Sequence, residues 1–461
     1  MADSLRFSAS FGYLLCFCIL FFSFNSYKSC VHGARELANH QNVVNKKKSL
    51  MPAPASTTGL QIAHRLGHSS PLDQENPPPT SREILLQDQS RGRSLYSKSV
   101  SWNYSNDDSG TGVELPLQEK SIGAGNFVVK VGFGTPKRDL TLMFDTGSDV
   151  TWIQCQPCDK CYDQEEPIFD PSKSSTFSDA TCNTPTCPYS ITYNDDSNSS
   201  GNYSQDTLTL SSTTVFPGFV FGCGRNNSAN FGKVAGVLGF EPGDTSIMTQ
   251  TVNNFGQEFS YCLPLEETST GYLRFGQLAF ETRQSSEISI PIVTDSTWPN
   301  KYLVKLVGIT IGEKRLEMSA NSVPGSLPST ILDTGTIISR LPGEVYAGLR
   351  SAFQDSMSQY PLADQSSDPM DICYDLSGSE DDINKIVPSM KLHFDDSQDL
   401  NLDPSGVVWK ESDSRKVCLA FAVNGNSNDL TIIGNHQQRN LKISYSLFDK
   451  KVGFTTGGCG N

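Results

Sequence analysis

The chain is poor in histidine. Only six of its 461 residues are histidines, and beyond position 112 the sequence contains just His393 and His436. A Ser-His-Asp or Cys-His nucleophilic apparatus would have to use one of these two. Neither has the local context of a nucleophile motif, so we expect surface or packing residues. A glycine-rich phosphate loop and a Gly-Lys-Ser sequence are also absent, and no cofactor or metal is expected.

Long apolar runs are equally scarce. Arg6 precedes an apolar stretch from Phe11 to Phe24, which is shorter than the roughly 20 residues that a spanning helix needs. Residues 1–28 are therefore predicted to be a secretory signal peptide rather than a membrane anchor. No later segment is long and apolar enough to span a bilayer, so the mature chain is expected to have no membrane span.

Positive charge is in short supply as well. Residues 111–461 contain 25 Lys and Arg against 42 Asp and Glu, a net charge of −17, whereas residues 31–110 contain nine against seven. An acidic chain without a basic stripe is not expected to bind nucleic acid. The length of the chain, 461 residues, is enough for two substantial domains.

One short motif, by contrast, occurs twice. Residues 140–152 read Leu-Thr-Leu-Met-Phe-Asp-Thr-Gly-Ser-Asp-Val-Thr-Trp, and residues 329–339 read Ser-Thr-Ile-Leu-Asp-Thr-Gly-Thr-Ile-Ile-Ser. Asp145 and Asp333 thus share an apolar lead-in and an Asp-Thr-Gly-Ser/Thr turn. A single Asp-Thr-Gly is also a good plain turn, but two copies predict a pair of carboxylates that work together.

The chemistry of such a pair accounts for the residues around it. Two carboxylates about 3 Å apart cannot both ionise, so they share a proton, and the ionised partner can activate a water for attack on a peptide carbonyl. Glycine lets the two turns approach, and its N–H can bond a carboxylate oxygen. Threonine hydroxyls can tie the turns together, and the following hydroxyls can reach the outer carboxylate oxygens. The predicted supporting residues are Thr146, Gly147, Ser148, Thr334, Gly335 and Thr336.

With these motifs the sequence resembles the pepsin-like aspartic proteases, and among them the plant nepenthesin-like group. Residues 126–136 are similar to the opening strand of that family, and residues 235–240 and 431–435 to the apolar-apolar-Gly segments that close each catalytic loop. The resemblance covers about residues 123–459. It implies an all-β, bilobal fold with few short helices and an active cleft between the lobes. We place an N-terminal lobe with Asp145 and the flap at residues 113–295, and a C-terminal lobe with Asp333 at residues 296–461.

The local patterns agree with a mostly β chain. Short alternating runs such as Phe127–Val131, Thr207–Leu210 and Tyr302–Ile311 are separated by Gly, Pro, Asn and Ser clusters and predict strands. The best helix candidate is Pro342–Ser356.

Residues 29–112 are polar and rich in serine, and we expect a prosegment there, with a short helical patch at Ser81–Leu95. Its net charge is opposite to that of the rest of the chain, so its Lys and Arg residues could pair with cleft carboxylates until falling pH protonates them. The chain's own prosegment is thus a predicted inhibitor. A flexible, solvated leader remains the alternative for most of this length.

The flap is the point where the chain departs from the family pattern. Tyr193 matches the tyrosine that covers the dyad, and Trp152 matches the tryptophan whose ring N–H is expected to meet it. Asn194 and Asp196 lie where glycines are usual. Both residue types tolerate positive φ better than most, so the hairpin can survive.

Ten cysteines lie beyond the signal peptide and prosegment, an even number that predicts disulfides in a secreted chain. The Cys-x-x-Cys-x-x-Cys run at positions 155, 158 and 161 could instead hold zinc. By similarity to the nepenthesin-like pattern, the expected pairs are Cys155–Cys158, Cys161–Cys223, Cys182–Cys187, Cys262–Cys459 and Cys373–Cys418.

Glycosylation sequons occur at Asn103, Asn198, Asn202 and Asn226, and Asn103 is expected to leave with the prosegment. Together these features predict a secreted, monomeric plant aspartic endopeptidase, a glycoprotein made as a zymogen, that cleaves polypeptide substrates at acidic pH. We expect it in the apoplast, with the vacuole or plastid as alternatives. Two other functions stay open: a weakly catalytic binding or inhibitor protein on the same fold, and a plastid nucleoid-type aspartic protease.

Overall fold

The structure, a computed structural model of the chain, describes residues 58–72, 80–86, 88, 126–182, 187–193, 197–228, 231–266, 269–280, 287–318, 329–363, 370–395, 398–410, 415–424, 430–457 and 459. These residues belong to one compact unit, Ser56–Asn461. The predicted signal peptide, most of the predicted prosegment and Asn103 lie outside the described residues. No described helix combines the length and apolar character that a membrane crossing requires.

Strand is the commonest secondary structure of the described chain, as predicted. The strands before residue 300 are β1 (Thr58–His64), β2 (Phe127–Phe133), β3 (Arg138–Asp145), β4 (Trp152–Gln154), β5 (Ser178–Asp179), β6 (Pro188–Thr192), β7 (Asn198–Ser211), β8 (Thr214–Asn227), β9 (Gly236–Gly239), β10 (Glu258–Cys262), β11 (Thr270–Phe275) and β12 (Ile288–Pro291). Those after it are β13 (Leu303–Val304), β14 (Leu306–Ile311), β15 (Lys314–Glu317), β16 (Thr330–Asp333), β17 (Ser339–Leu341), β18 (Cys373–Asp375), β19 (Met390–Phe394), β20 (Gln398–Leu402), β21 (Val408–Lys410), β22 (Lys416–Leu419), β23 (Phe421–Val423), β24 (Thr431–Gly434), β25 (Leu441–Ser446) and β26 (Lys451–Thr456).

The helices are short, with one exception. Beyond residue 240 they are α1 (Ile247–Gln250), α2 (Val252–Phe255), α3 (Gly343–Ser356), α4 (Ile383–Ile386), α5 (Pro404–Val407) and α6 (Asn435–Gln438), and 3-10 turns lie at Pro171–Lys173 and Gly276–Phe280. α3 confirms the predicted helix at Pro342–Ser356. Its apolar residues recur at helical spacing, so Val345, Leu349 and Phe353 are all buried in the core.

The described strands form one large sheet and three smaller ones. One large sheet runs β12-β26-β25-β10-β11-β1-β2-β3-β9-β4-β8-β7-β5, with β6 paired to β7. Smaller sheets run β13-β16-β24-β17-β23, β15-β14-β19-β20 and β18-β22-β21. The fold is therefore all-β with few short helices, as the sequence predicts.

The duplicated motif corresponds to a duplicated strand pattern. β3 pairs in parallel with β9, which pairs antiparallel with β4, and β4 pairs in parallel with β8. β16, β24, β17 and β23 repeat this set of pairings in the second half. Asp145 lies opposite Gly239 and Asp333 lies opposite Gly434, each at the end of its parallel pair. Both aspartates are thus delivered by buried strands at equivalent positions.

An upstream segment completes the large sheet. We call residues 58–72, 80–86 and 88 the leader segment. Its strand β1 lies between β11 and β2 and pairs antiparallel with both. Leu60 and Ile62 alternate inward and are buried. Sequence reasoning missed this strand, although its apolar residues do alternate. Residues 81–86 and 88 are helical, which confirms that part of the helical patch predicted at Ser81–Leu95.

All ten cysteines of the described residues form disulfides, and three of the five predicted pairs are present: Cys182–Cys187, Cys262–Cys459 and Cys373–Cys418. The other two predicted pairings are wrong. Cys155 pairs with Cys223 and Cys158 pairs with Cys161. Cys155 directly follows β4, which runs beside the segment of β8 that contains Cys223, so the Cα atoms are 5.4 Å apart. Cys155, Cys158 and Cys161 are all in disulfides, so they cannot supply the thiolates that zinc would need.

A glycine in β9 is required by the close crossing of strands. A Cβ added to Gly236 would overlap the carbonyl oxygen of Trp152, a backbone atom that cannot turn aside. We expect Gly236→Ala to lower the free energy of unfolding by at least about 2 kcal/mol, measured by urea denaturation. Gly378→Ala is the control, because nothing lies within 4 Å of the Cβ it would add. Equal stability of the two variants would contradict this packing.

Candidate active site

Asp145 is held at the end of β3 by its own turn. The Gly147 N–H donates to Asp145 Oδ1 at 3.0 Å, and the Ser148 hydroxyl donates to Oδ2 at 2.7 Å. The Asp145 side chain is fully buried. Each described donor addresses a different carboxylate oxygen, which fixes the plane of the carboxylate.

Asp333 is held in the same way at the end of β16. The Gly335 N–H donates to Asp333 Oδ1 at 2.8 Å, and the Thr336 hydroxyl donates to Oδ2 at 2.6 Å. This carboxylate is also fully buried. The two turns are therefore equivalent in both sequence and hydrogen bonding.

The two turns are also tied to one another. The Thr146 N–H donates to Thr334 Oγ1 and the Thr334 N–H donates to Thr146 Oγ1, both at 3.0 Å. Each hydroxyl in turn donates across to the other half: Thr146 to the Leu332 carbonyl and Thr334 to the Phe144 carbonyl, again at 3.0 Å. The hydrogen bonds expected between the loops are present, and they are reciprocal.

Close contact of the turns depends on glycine. A Cβ added to Gly147 would lie 2.5 Å from Oδ1 of Asp333. The first turn therefore packs directly against the carboxylate of the second, and the two aspartates share one site. Such an arrangement can hold a carboxylate pair in the geometry that proton sharing requires.

The predicted flap residues meet each other. Trp152 Nε1 donates to the Tyr193 hydroxyl at 2.7 Å, and both side chains are buried. Phe231 lies edge-on to both rings, at 4.8 Å from Trp152 and 5.3 Å from Tyr193. Sequence reasoning missed Phe231, because its neighbours in sequence give no signal of this contact. Residues 194–196, at the predicted tip, lie outside the described residues.

The predicted flap corresponds to the hairpin of β6 and β7. Thr192 lies opposite Asn198 and Pro188 lies opposite Asn202, so these sequons lie on the strand that returns from the tip. Both asparagines are partly exposed, whereas Asn226 on β8 is exposed. Glycan occupancy stays a prediction.

A buried ion pair that the sequence did not reveal lies beside the Asp145 turn. Lys301 Nζ contacts Glu241 Oε1 and donates to the Gly147 carbonyl at 3.2 Å. Burial raises the pKa of Glu241 to about 8, against the opposing effect of Lys301. The charges of Asp145 and Asp149 raise it further.

The leader segment docks immediately after the second turn. Asp88 accepts hydrogen bonds from the N–H groups of Ile337 and Ile338, and its Oδ2 lies 3.0 Å from Arg340 Nη2. Asp88 and Arg340 are both buried. Ile84 packs against Ile337. The sequence predicts that Lys and Arg residues of the prosegment pair with carboxylates of the cleft. Here the leader segment supplies the acid, Asp88, and the second half of the chain supplies the base, Arg340.

His393 and His436 are both buried packing residues. His393 lies between Thr310 Oγ1 and Asp399 Oδ1, each 2.6 Å from a ring nitrogen, within the sheet of β15, β14, β19 and β20. Burial lowers the pKa of His436 to about 3, and its Nε2–H donates to the Val408 carbonyl. Neither contacts the two aspartates in any hydrogen bond of the described chain.

Family models of a xylanase inhibitor N-terminal domain and a xylanase inhibitor C-terminal domain match residues 127–277 and 301–456. An aspartyl protease family protein of Arabidopsis thaliana is 36% identical over 97% of each chain. The chain belongs to the pepsin-like plant aspartic proteases. The Arabidopsis thaliana aspartyl protease AED1 is 38% identical over 88% of each chain. Aspartic proteinase nepenthesin-1 of Nepenthes gracilis is 31% identical over 76% of this chain and 81% of its own.

Solved structures share the fold of this plant aspartic protease. The basic 7S globulin conglutin gamma from lupine seeds is 18% identical, with a TM-score of 0.58 over 72% of this chain and 91% of its own. The structure named edgp is 19% identical, with a TM-score of 0.59 over 72% and 92%. At such identity the likeness concerns the fold alone.

The raised pKa of Glu241 makes stability depend on pH. The folded value of about 8 lies above the ordinary value of 4.5, so the contribution of neutral Glu241 is fully present below pH 4.5 and is lost as pH rises to 8. Glu241→Gln, which stays neutral, should therefore lose less thermal stability than the wild type between pH 4.5 and 8. The control is Glu317→Gln. Glu317 is exposed, and Arg315 lowers the pKa of its carboxyl. An unchanged pH dependence in Glu241→Gln would contradict the assignment.

Proposed function

We propose that the chain is an aspartic endopeptidase in which Asp145 and Asp333 share one proton and activate a water. The observation that carries the proposal is the reciprocal hydrogen bonding of two intact Asp-Thr-Gly turns around two buried carboxylates. The ionised aspartate takes a proton from the water while the protonated one donates to the peptide carbonyl. This exchange requires one proton on the pair, so activity is expected at acidic pH.

Tyr193 and Trp152 supply the proposed cover of the site. Their hydrogen bond and the edge contacts of Phe231 fix the tyrosine ring next to the tip of the β6–β7 hairpin. A closed flap would exclude water from the peptide bond under attack. Secretion is proposed as well, supported by five disulfides, which persist in oxidising compartments.

A binding or inhibitor protein is the second candidate, and the names of the matching family models favour it. Binding alone does not require a hydrogen-bonded carboxylate pair. The intact turns therefore favour the enzyme.

The decisive variants are Asp145→Asn and Asp333→Asn. Each should lower cleavage of denatured globin near pH 4 by at least about 100-fold, because neither amide can share the proton. The thermal midpoint of each should stay close to that of the wild type.

Asp139→Asn is the matched control, since Asp139 lies on the same strand, half-exposed and paired with Lys137. Inhibition of the wild type by a statine-type compound should accompany its activity. Cleavage retained by either dyad variant would exclude this mechanism, and an inactive wild type would favour the binding protein.

We also propose that the leader segment keeps the enzyme latent. Ile84, one of its helical residues, packs on Ile337. The residues that follow the Asp333 turn bind Asp88, so the docked leader segment lies next to the site. Burial raises the pKa of Asp88 against the effect of Arg340. The contribution of this contact is then retained in acid and lost as pH rises.

Latency can be tested in the uncleaved chain. Asp88→Ala removes the three contacts to Ile337, Ile338 and Arg340, so the intact chain should cleave substrate at least about fivefold faster than the intact wild type. Gel analysis after the assay must show the chain uncut. His68→Ala is the control, because His68 is an exposed residue of the same segment. Full activity of the uncleaved wild type would overturn latency.

A further inference from the structure

One lysine from the second half of the chain reaches the Asp145 turn. Lys301 Nζ donates to the carbonyl oxygen of Gly147 at 3.2 Å while it contacts the carboxylate of Glu241. The Lys301 side chain is 15% exposed and that of Glu241 is 8% exposed. A lysine is rarely buried without a specific partner, and here one partner belongs to the turn of the proposed dyad.

The two residues extend from the strands that support the two aspartates. Glu241 follows β9, whose Gly239 lies opposite Asp145, and its own N–H donates to the Ser148 carbonyl at 2.9 Å. Lys301 precedes β13, which pairs with β16, the strand that ends at Asp333. The pair therefore connects the supports of both carboxylates.

The carbonyl that Lys301 binds belongs to a residue in contact with both aspartates. The Gly147 N–H donates to Asp145 Oδ1, and the missing Cβ of Gly147 is what leaves room for the Asp333 carboxylate. A rotation of the peptide that follows Gly147 would move this residue relative to both acids. Fixing its carbonyl thus fixes the distance and the orientation of the pair.

The charges around Glu241 are mostly acidic. Asp145 and Asp149 face it, together with the hydroxyls of Tyr302 and Tyr445. Lys301 is the cation that faces it among the groups that shift its pKa. With a pKa of about 8, Glu241 is neutral in acid, and the positive charge of Lys301 is then uncompensated by its partner.

We propose that Lys301 is a positioning residue of the dyad, which holds the Gly147 carbonyl and places one positive charge beside the two carboxylates. This inference rests on the proposed function, because it assigns Lys301 a role in that same site. A nearby cation favours the singly ionised pair over the doubly protonated one. The active form therefore persists to lower pH than it would without the lysine.

Lys301→Met keeps the length and apolar stem of the side chain but removes the charge and the donor. We expect kcat to fall at least about tenfold with KM changed less than about threefold, since Lys301 is proposed to act on the turn and not on the substrate. The pH at which kcat/KM falls to half its maximum on the acid side should rise by about half a unit. Lys301→Arg, which keeps the cation, should recover most of kcat and the original acid limit.

Lys305→Met is the matched control. Lys305 lies four residues further along the same segment, and its ion pair with Asp395, at 3.4 Å, is about half-exposed. Lys305→Met makes the same chemical change away from the Asp145 turn, so the kinetics of this variant should equal those of the wild type.

A readout that needs no activity separates this inference from the proposed function. Hydrogen exchange of a peptide spanning residues 140–152 should be at least about tenfold faster in Lys301→Met than in the wild type, because the turn loses its anchor. Lys301→Arg and Lys305→Met should exchange at the wild-type rate.

The outcomes are distinct. An unchanged acid limit together with unchanged exchange in Lys301→Met would overturn the inference while leaving the protease intact. An equal loss in Lys301→Met and Lys301→Arg, with no shift of the acid limit, would show a purely structural role and overturn it too. An inactive wild type would instead refute the proposed function, and the exchange rates would still decide whether Lys301 anchors the turn.

Discussion

Reciprocal hydrogen bonding between Thr146 and Thr334 is the constraint on which the rest of the structure depends. Each threonine gives its hydroxyl to the backbone of the opposite half and receives the opposite N–H. Each such bond contributes about 1 kcal/mol net, but leaving its buried donor or acceptor unpaired costs more. The two turns are therefore formed together or not at all, and the strands behind them must end at equivalent positions.

That requirement accounts for the duplicated strand pattern. Asp145 and Asp333 each end a strand that runs parallel to a partner closed by glycine, Gly239 or Gly434. A Cβ at either glycine would press on the backbone of the loop that follows the aspartate. The glycines thus let that loop fold back over its own sheet, which buries the carboxylates and leaves their oxygens to the turn donors.

Polar residues around the site connect the two turns to neighbouring parts of the fold. Lys301 and Glu241 connect the supporting strands of both halves, and Asp88 binds the backbone just after the second turn. These contacts are charged and buried, so each is costly unless its partner is in place. They link the geometry of the proposed dyad to the neighbouring strands on one side and to the leader segment on the other.

The sequence by itself determined those features of this protein that depend on residues close together in the chain. The repeated Asp-Thr-Gly turn, the apolar lead-ins and the helical spacing of α3 depend on residues a few positions apart, so the residues of the two turns and this helix could be named from them, whereas the fold class came from the family resemblance. The disulfides Cys182–Cys187, Cys262–Cys459 and Cys373–Cys418 came from the family resemblance.

Tertiary structure decided what depends on strand neighbours. Cys155 pairs with Cys223 because β4 lies beside β8, and spacing along the chain does not encode that register. The strand β1 lies within the predicted prosegment, yet it fills a place between β11 and β2. Lys301 and Glu241 are 60 positions apart and carry no motif, so only the packing of the two halves brings them to Gly147.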